Sequence, residues 1–445
     1  MRLPLAPVWF RTITTIVCAR ESRLRLALGI RWRTILAGLW RRMLRRTTFI
    51  AVTGSCGKST AKELLALILA GHGPTICTHG TANNVFEVCR LILRSRPWHR
   101  YVVAEIGTGK WGPLERAAKV FRPHIAVVLT VRLEHYSKFR TLENVAAEKQ
   151  SLLRHVRPGG TAYLNADDAR VAAMSVPHGV KVVTFGCAPG ANVRASEVVS
   201  AWPQRLRFRV SSQHGGGTVE TQLVGEHLVT PALAAIAAGL GLGHSFEDMA
   251  AAVRTFPGVP GRMLPMELPG GVTVIRDEFK SAPHSVAAAF DEMRRASAQR
   301  KILVFGDMSD TTLSKRDRQR RIAREAAEVF DMLVFVGEHA SYASAAALRS
   351  GFPPDRARAF ISVSACADFL RKELAGGDLV LLKGTFRDRM TRIVFLLAGG
   401  IACNVGVCGR EILCDGCPKL GADAAAAASA RSYPAQAAGL VDCAR

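Results

Sequence analysis

The chain predicts an α/β protein: a central, mostly parallel sheet of the phosphate-loop ATPase type, followed by a smaller Rossmann-like α/β domain. Three observations carry that expectation. Short β-rich runs alternate with helical patterns from residue 49 to about 185, and the alternation restarts after residue 262. A glycine-rich segment, Thr53-Gly54-Ser55-Cys56-Gly57-Lys58-Ser59-Thr60, sits between the first apolar run and the first helical pattern. Between the two alternating regions lies a turn-rich stretch, Phe256-Pro257-Gly258-Val259-Pro260-Gly261-Arg262.

The expected organisation is therefore a basic N-terminal segment (1–48), a central domain (49–257), a second α/β domain (258–398) and a cysteine-containing, partly disordered tail (399–445). In the central domain the strand candidates are Phe49–Val52, Thr75–Thr78, Tyr101–Ile106, Ile125–Val131, Thr161–Leu164 and Val180–Phe185. Residues 190–223 alternate polar and apolar without helical spacing and read as a small antiparallel addition. Helical patterns follow at about 229–242 and 245–254. In the second domain the candidates are Val272–Ile275, Lys301–Phe305, Met332–Val336, Ala359–Val363 and Leu379–Leu382, with helices such as His284–Arg295 and Ser314–Val329 between them.

The glycine-rich segment is the part with clear chemistry. A strand, a glycine turn and a helix start bring backbone N–H groups to a polyphosphate, with the positive end of the helix dipole behind it. Lys58 would neutralise the outer phosphates and the Ser59 hydroxyl would meet Mg²⁺. Val52 stands where the full Walker pattern has its first glycine. Ligands of doubly wound sheets bind at the carboxyl ends of the strands, and three further residues fall there. Glu105 ends one run, His135 follows another, and Lys149 lies on the next helix. Glu105 and His135 read either as completing magnesium coordination or as a solvated strand end and a partly buried histidine.

Composition narrows the setting. The formal charge is +24 over 445 residues, and residues 1–48 hold eleven arginines against the single acid Glu21. Such a segment attracts nucleic acid, anionic lipid or an acidic substrate. No recognisable nucleic-acid reading module accompanies it, so no nucleic-acid partner is expected. Trp32, Ile35, Leu36, Leu39, Trp40 and Met43 recur at helical spacing among Arg31, Arg33, Arg41, Arg42, Arg45 and Arg46. That pattern fits an interfacial helix on an anionic membrane, and equally a helix packed on the enzyme's own body. No run of about 18 apolar residues argues for a spanning helix. A cytoplasmic monomer, touching the inner membrane face peripherally, is expected. The scattered cysteines suit a reducing compartment. In the tail, Cys403, Cys408, Cys414 and Cys417 supply four thiols within fifteen residues, which could hold Zn²⁺ or remain free thiols.

The phosphate loop resembles the ATP loop of the Mur ligases, with the nearest likeness to the branch that adds D-alanyl-D-alanine. Further segments recur in the family's order: Asn83-Asn84, Ala104-Glu105-Ile106-Gly107, Leu133-Glu134-His135, Ala147-Glu148-Lys149 and Leu164-Asn165-Ala166-Asp167-Asp168. So do Gly225-Glu226-His227, Pro260-Gly261-Arg262, Phe305-Gly306-Asp307-Met308 and Leu382-Lys383-Gly384. The resemblance implies an ATP- and Mg²⁺-dependent amide ligase acting through an acyl phosphate, with a carboxylate acceptor and an amino acid or dipeptide donor. It implies that Thr53 to Thr60 hold ATP, that Ser59, Glu105 and His135 serve the magnesium, and that Lys149 is the lysine often carbamylated, which would make it a carboxylate-like magnesium ligand as well. It also implies that Arg262 is the hinge arginine, that Asp277 meets the ribose, and that Lys280 and Lys383 close over the reacting groups.

Three departures from the family pattern bear on the substrate. Only 48 residues precede the central domain, too few for the usual UDP-binding domain. Leu228 and Pro231 stand where relatives usually have asparagines, one of which meets adenine. Phe279-Lys280 replaces a Tyr-Asn pair, and a lysine there suits an anionic phosphate or carboxylate.

Overall fold

The computed structural model describes residues 29–107, 112–134, 136–401, 403, 408–410, 413–417 and 441–444. His135 lies outside them. The first sheet is built from β1 (Thr48–Thr53), β2 (Thr75–Thr78), β3 (Tyr101–Glu105), β4 (Ile125–Val128), β5 (Thr161–Asn165) and β6 (Lys181–Gly186). It continues into β7 (Val193–Ala201), β8 (Gln204–Ser212) and β9 (Gly215–Glu220). Their spatial order is β2-β3-β1-β4-β5-β6-β7-β8-β9. All neighbours are parallel through β7, and the last three strands form an antiparallel meander.

Side-chain alternation along β1 explains why helices cover both faces. Ile50 and Val52 join the core beneath the helix Lys58–Ala70, whereas Phe49 and Ala51 join a separate core on the other face. That second core takes in the helices Val85–Arg94 and Pro113–Phe121, together with Ala37 and Leu44 at the N-terminal end. A strand buried on both faces reads as a continuous apolar run, as Phe49–Val52 does.

The second sheet holds β10 (Leu264–Leu268), β11 (Val272–Asp277), β12 (Arg300–Phe305), β13 (Met332–Val336), β14 (Ala357–Phe360) and β15 (Asp378–Lys383). Its order is β10-β11-β15-β12-β13-β14, parallel except for the β10–β11 hairpin. The strand β10 was not among the expected ones; Pro265 within it suits an edge position, where one side of the strand makes no ladder. A last strand, β16 (Val441–Ala444), runs parallel to β2 and extends the first sheet at its far edge. The chain thus returns from the second sheet to the first.

Two strands stop three residues short of expectation for local reasons. β4 stops at Val128, before the expected Val131, because residues 129–132 turn to bond the phosphate loop. β14 ends at Phe360, before the expected Val363, because Ser362 caps the next helix by accepting from Ala365 N.

A helix over residues 29–43 precedes β1 and presents two faces. Arg41 fixes its rotation: Nε donates to Phe121 O (2.7 Å), Nη2 to Arg122 O (2.8 Å), and the guanidinium stacks 3.7 Å over the Phe49 ring. Trp40 Nε1 adds a bond to Ser95 O at 2.8 Å. The reading of a helix packed on the protein's own body thus holds for the inner face, while Trp32, Ile35, Leu36, Leu39 and Met43 stay exposed on the outer one. Because Arg41 satisfies the buried Phe121 carbonyl and the partly buried Arg122 carbonyl, Arg41→Ala should lower the unfolding free energy by roughly 2 kcal/mol. The exposed Arg42→Ala should change it by less than about 0.5 kcal/mol. Urea unfolding of both variants checks this.

Candidate active site

The phosphate loop leaves β1 and turns at Gly54, whose φ of 149° suits glycine. A Cβ there would lie 2.8 Å from Leu129 Cβ, so a side chain would push the two segments apart. The segment after β4 clasps the loop: Ser55 N donates to Thr130 O (2.8 Å), Cys56 N to Thr130 Oγ1 (3.1 Å), and Ser55 Oγ to Arg132 O (3.0 Å). Gly57, at φ 77°, caps the helix Lys58–Ala70. The amides of that helix's first turn have no intrahelical acceptor and point back along its axis. Lys58 Nζ lies over the loop and donates to Gly54 O at 2.7 Å. Thr53 Oγ1 is buried and has no hydrogen-bond partner among the described residues. Pro231, one of the departures, packs on this turn, its Cβ 3.3 Å from where a Gly57 Cβ would be.

Glu105, at the end of β3, is 2% exposed and holds two partners at once. Ser59 Oγ donates to its Oε2 (2.7 Å) and Asn83 Nδ2 to its Oε1 (2.8 Å). Gly107 lets Asn83 come that close, since a Cβ there would lie 2.8 Å from Asn83 Nδ2. Asn83 stood in the sequence as part of a motif without a role; its contact with Glu105 is supplied by the fold alone. Oxygen donors from a hydroxyl and a carboxylate at the mouth of a phosphate loop suit Mg²⁺, which takes one or two protein carboxylates and completes its shell with phosphate and water. Among the described residues no three His, Cys, Asp or Glu side chains are arranged to hold a metal ion by themselves.

Glu134 joins the two sheets electrostatically. Lys149 Nζ donates to its Oε1 (2.7 Å) and Lys280 Nζ, from the loop after β11, to its Oε2 (3.2 Å). Lys280 also pairs with Asp310 at 3.2 Å. Burial alone would raise the Glu134 carboxyl, but Lys149, Lys58 and Lys280 outweigh it and hold the group well below the usual carboxylate range. Burial pushes the Lys149 ammonium down, against the opposing pull of Glu134. Lys280 is raised, because Glu134 and Asp310 outweigh its burial. The expected preference of Lys280 for an anionic partner is met here by two protein carboxylates.

The second cluster lies at the carboxyl ends of β11 and β15. Lys383 Nζ donates to Asp277 Oδ2 (2.6 Å), Lys280 O (2.8 Å) and Ser285 Oγ (3.0 Å). Burial raises the Asp277 carboxyl and lowers the Lys383 ammonium, each against the pull of the other. Arg262 stacks 4.5 Å from the Phe279 ring, beside both Asp277 and Glu105. His284 Nε2 meets Cys56 Sγ at 2.8 Å, a direct contact between the second sheet's first helix and the phosphate loop. Burial, with Lys280 nearby, lowers His284 to about 4, so it is neutral at physiological pH. Neither His284 nor Asp310 carried a signal in the sequence, since each acts through a partner more than 200 or about 30 positions away.

The tail thiols form a distinct region. Cys403, Cys408, Cys414 and Cys417 line one cavity of about 20 Å³ together with Arg389, Arg392 and Arg410. The thiols share its wall without converging into a metal-binding set, and the guanidinium groups there oppose a bare cation. The zinc expectation is therefore not supported. Nearby, the described tail is tied to the second sheet: Arg276 Nη1 donates to Asp415 Oδ1 (2.7 Å).

A phosphate loop on one α/β sheet, faced by cationic side chains from a second, is the arrangement of a nucleotide-binding enzyme. Two family models match the chain, the Mur ligase middle domain over residues 52–239 and the Mur ligase glutamate ligase domain over residues 261–386. A UDP-N-acetylmuramoyl-tripeptide–D-alanyl-D-alanine ligase of Mycobacterium tuberculosis is 30% identical over 377 residues, 80% of this chain and 74% of that one. A crystal structure of MurF from Acinetobacter baumannii superposes with a TM-score of 0.76 at 28% identity, covering 82% of this chain and 80% of that one. The fold is shared too by the ADP complex of MurF from Thermotoga maritima, with a TM-score of 0.70 at 20% identity and 83% of each chain covered. The chain belongs to the Mur ligase family and is an ATP-dependent, amide-forming ligase.

The Glu134 ion pairs have a defined pH signature. The folded value lies below the ordinary 4.5, so the stabilisation is complete above pH 4.5 and is lost as pH falls further. Glu134→Gln should remove about 3–5 kcal/mol at neutral pH by leaving Lys149 buried and unpaired. It should also flatten this acid-side loss. Urea unfolding at matched pH values checks both, and an unchanged acid limb in the variant would contradict the assignment.

Proposed function

We propose that this ligase joins an amino acid or dipeptide to a carboxylate-bearing cell-wall precursor in the cytoplasm. The relatives are named for a UDP-muramoyl tripeptide and D-alanyl-D-alanine, and the reading extends that substrate class to this chain. The observation that carries it is the contact of Ser59 with Glu105 at the phosphate loop, facing Arg262, Asp277 and the Lys383 cluster.

In this reading residues 49–257 form the ATP-binding domain and residues 258–398 the closing domain. A substrate carboxylate oxygen attacks the γ-phosphorus, ADP leaves, and an acyl phosphate forms. The donor amine nitrogen then attacks the carbonyl carbon, the tetrahedral intermediate expels phosphate, and an amide results. Catalysis rests on positioning and charge neutralisation, since the first step brings two anions together. Lys58 meets the outer phosphates, the amides of Gly57 to Thr60 cradle them, and the Thr53 hydroxyl is available to an oxygen beside them. Arg262 and Asp277 hold the nucleoside end. Ser59, Glu105 and His135 would hold magnesium, which supplies charge neutralisation when bound. Lys280 and Lys383 meet the reacting groups. Closure of the second domain excludes water that would hydrolyse the acyl phosphate.

ADP release measured across amino acids and dipeptides, with UDP-linked and free carboxylate acceptors, tests the reading. Release should appear only when a matched acceptor and donor are both present. Lys58→Ala should lower it by at least about a hundredfold with the fold unchanged by circular dichroism. ADP release that no acceptor stimulates would count against a ligase for this substrate class. Lys149→Ala should cripple ligation. Partial rescue by short carboxylic acids would identify a carbamate on that lysine, and no rescue would identify the Glu134 pair as its whole contribution.

A further inference from the structure

We infer that the outer face of helix 29–43 docks on an anionic lipid bilayer. The face is a stripe of large apolar side chains: Trp32 is 64% exposed, Ile35 53%, Leu36 53%, Leu39 52% and Met43 69%. Their spacing of i, i+3, i+4, i+7 and i+11 puts them on one side of the helix. The opposite side is already committed to the enzyme through Ala37, Trp40, Arg41 and Leu44. Arg41's two carbonyl contacts hold the rotation, so the helix cannot turn its stripe inward without breaking both, the one to Phe121 O buried. The loop that receives the Trp40 bond at Ser95 carries another exposed aromatic, Trp98, at 67%.

Charge selects the occupant. Arg31, Arg42, Arg45 and Arg46 are all exposed on this helix and its exit, and no acid lies between residues 22 and 62. Each basic residue near an anionic bilayer contributes about 1 kcal/mol, and burying each large apolar side chain contributes about 1.5–3 kcal/mol. A second copy would bring the same cationic fringe against itself. Nucleic acid would leave the apolar stripe in water. Fifteen residues give a helix of about 22 Å, too short to span, and no described helix is long and apolar enough to cross a membrane. The helix therefore lies in the plane of the interface, as amphipathic interfacial helices do. It packs on the sheet face opposite the helix that follows the phosphate loop, so docking leaves the nucleotide cleft open.

The test is co-sedimentation of the full chain with phosphatidylcholine vesicles and with vesicles about one-third phosphatidylglycerol. We expect binding at least about tenfold stronger to the anionic vesicles, weakened by salt. A Leu36→Glu/Leu39→Glu double variant should lose that binding while keeping its melting temperature and its ADP release in solution. Equal binding by the variant and the parent chain would overturn the proposal, as would no preference for anionic vesicles. A parent chain that fails to bind, but is a dimer that the double variant dissociates, would assign the face to a second copy instead.

Discussion

One buried carboxylate holds the two halves of the site in register. Glu134 belongs to the segment leaving β4, its partner Lys149 to a helix on the same sheet, and its other partner Lys280 to the second sheet. A carboxylate that is 3% exposed could not stay ionised without such partners. Two ammonium groups satisfy both of its oxygens, and Asp310 balances the second of them. Because the pairs are specific in direction and distance, they set how the second sheet sits over the phosphate loop. The Cys56–His284 contact lies in the same seam and depends on the same closure. A buried pair of this kind is a weak source of net stability but a strong penalty against misplacement.

The sheet architecture was legible because its signals are local. Buried parallel strands read as continuous apolar runs, and Thr75–Thr78 and Met332–Val336 were recognisable to the residue. The phosphate loop was legible because its chemistry is written in consecutive residues. Glycines at 54 and 57 stand where the backbone must turn through positive φ, and Lys58 and Ser59 follow at once. Beyond the loop, its place at a strand end put Glu105 forward as a candidate, and the likeness in order along the chain put forward Asp277 and Lys383.

What escaped the sequence was pairing across distance. Asn83 meets Glu105 only because β2 and β3 lie side by side and Gly107 leaves room. Thr130 clasps the phosphate loop because β4 ends early, a termination that no residue type between 128 and 131 announces. Leu264–Leu268 interleaves a proline and a glutamate with its apolar residues, and its strand character comes from the β11 hairpin. The four tail cysteines illustrate the converse. Four thiols within fifteen residues left a metal centre and free thiols both open, and proximity in sequence brought them to one shared wall.

The charges of the site already compensate one another, and this shapes how a nucleotide must enter. Lys58 is held by its own loop carbonyls, Lys383 by Asp277, and Lys149 and Lys280 by Glu134. A triphosphate therefore has to compete for cations that are not idle. Lys58 is the one whose present partners are neutral carbonyls, so it is the least costly to redirect, and a charged phosphate outbids a carbonyl for an ammonium group. The buried pairs resist the same exchange because each broken pair would strand a carboxylate. The loop end of the site is thus where an entering phosphate meets least competition, while the pairs at Glu134 and Asp277 position the second sheet and set Lys280 and Lys383 where the proposed reaction would meet them. A site whose cations were all free would bind anions more tightly but would hold no fixed geometry for two substrates to meet in.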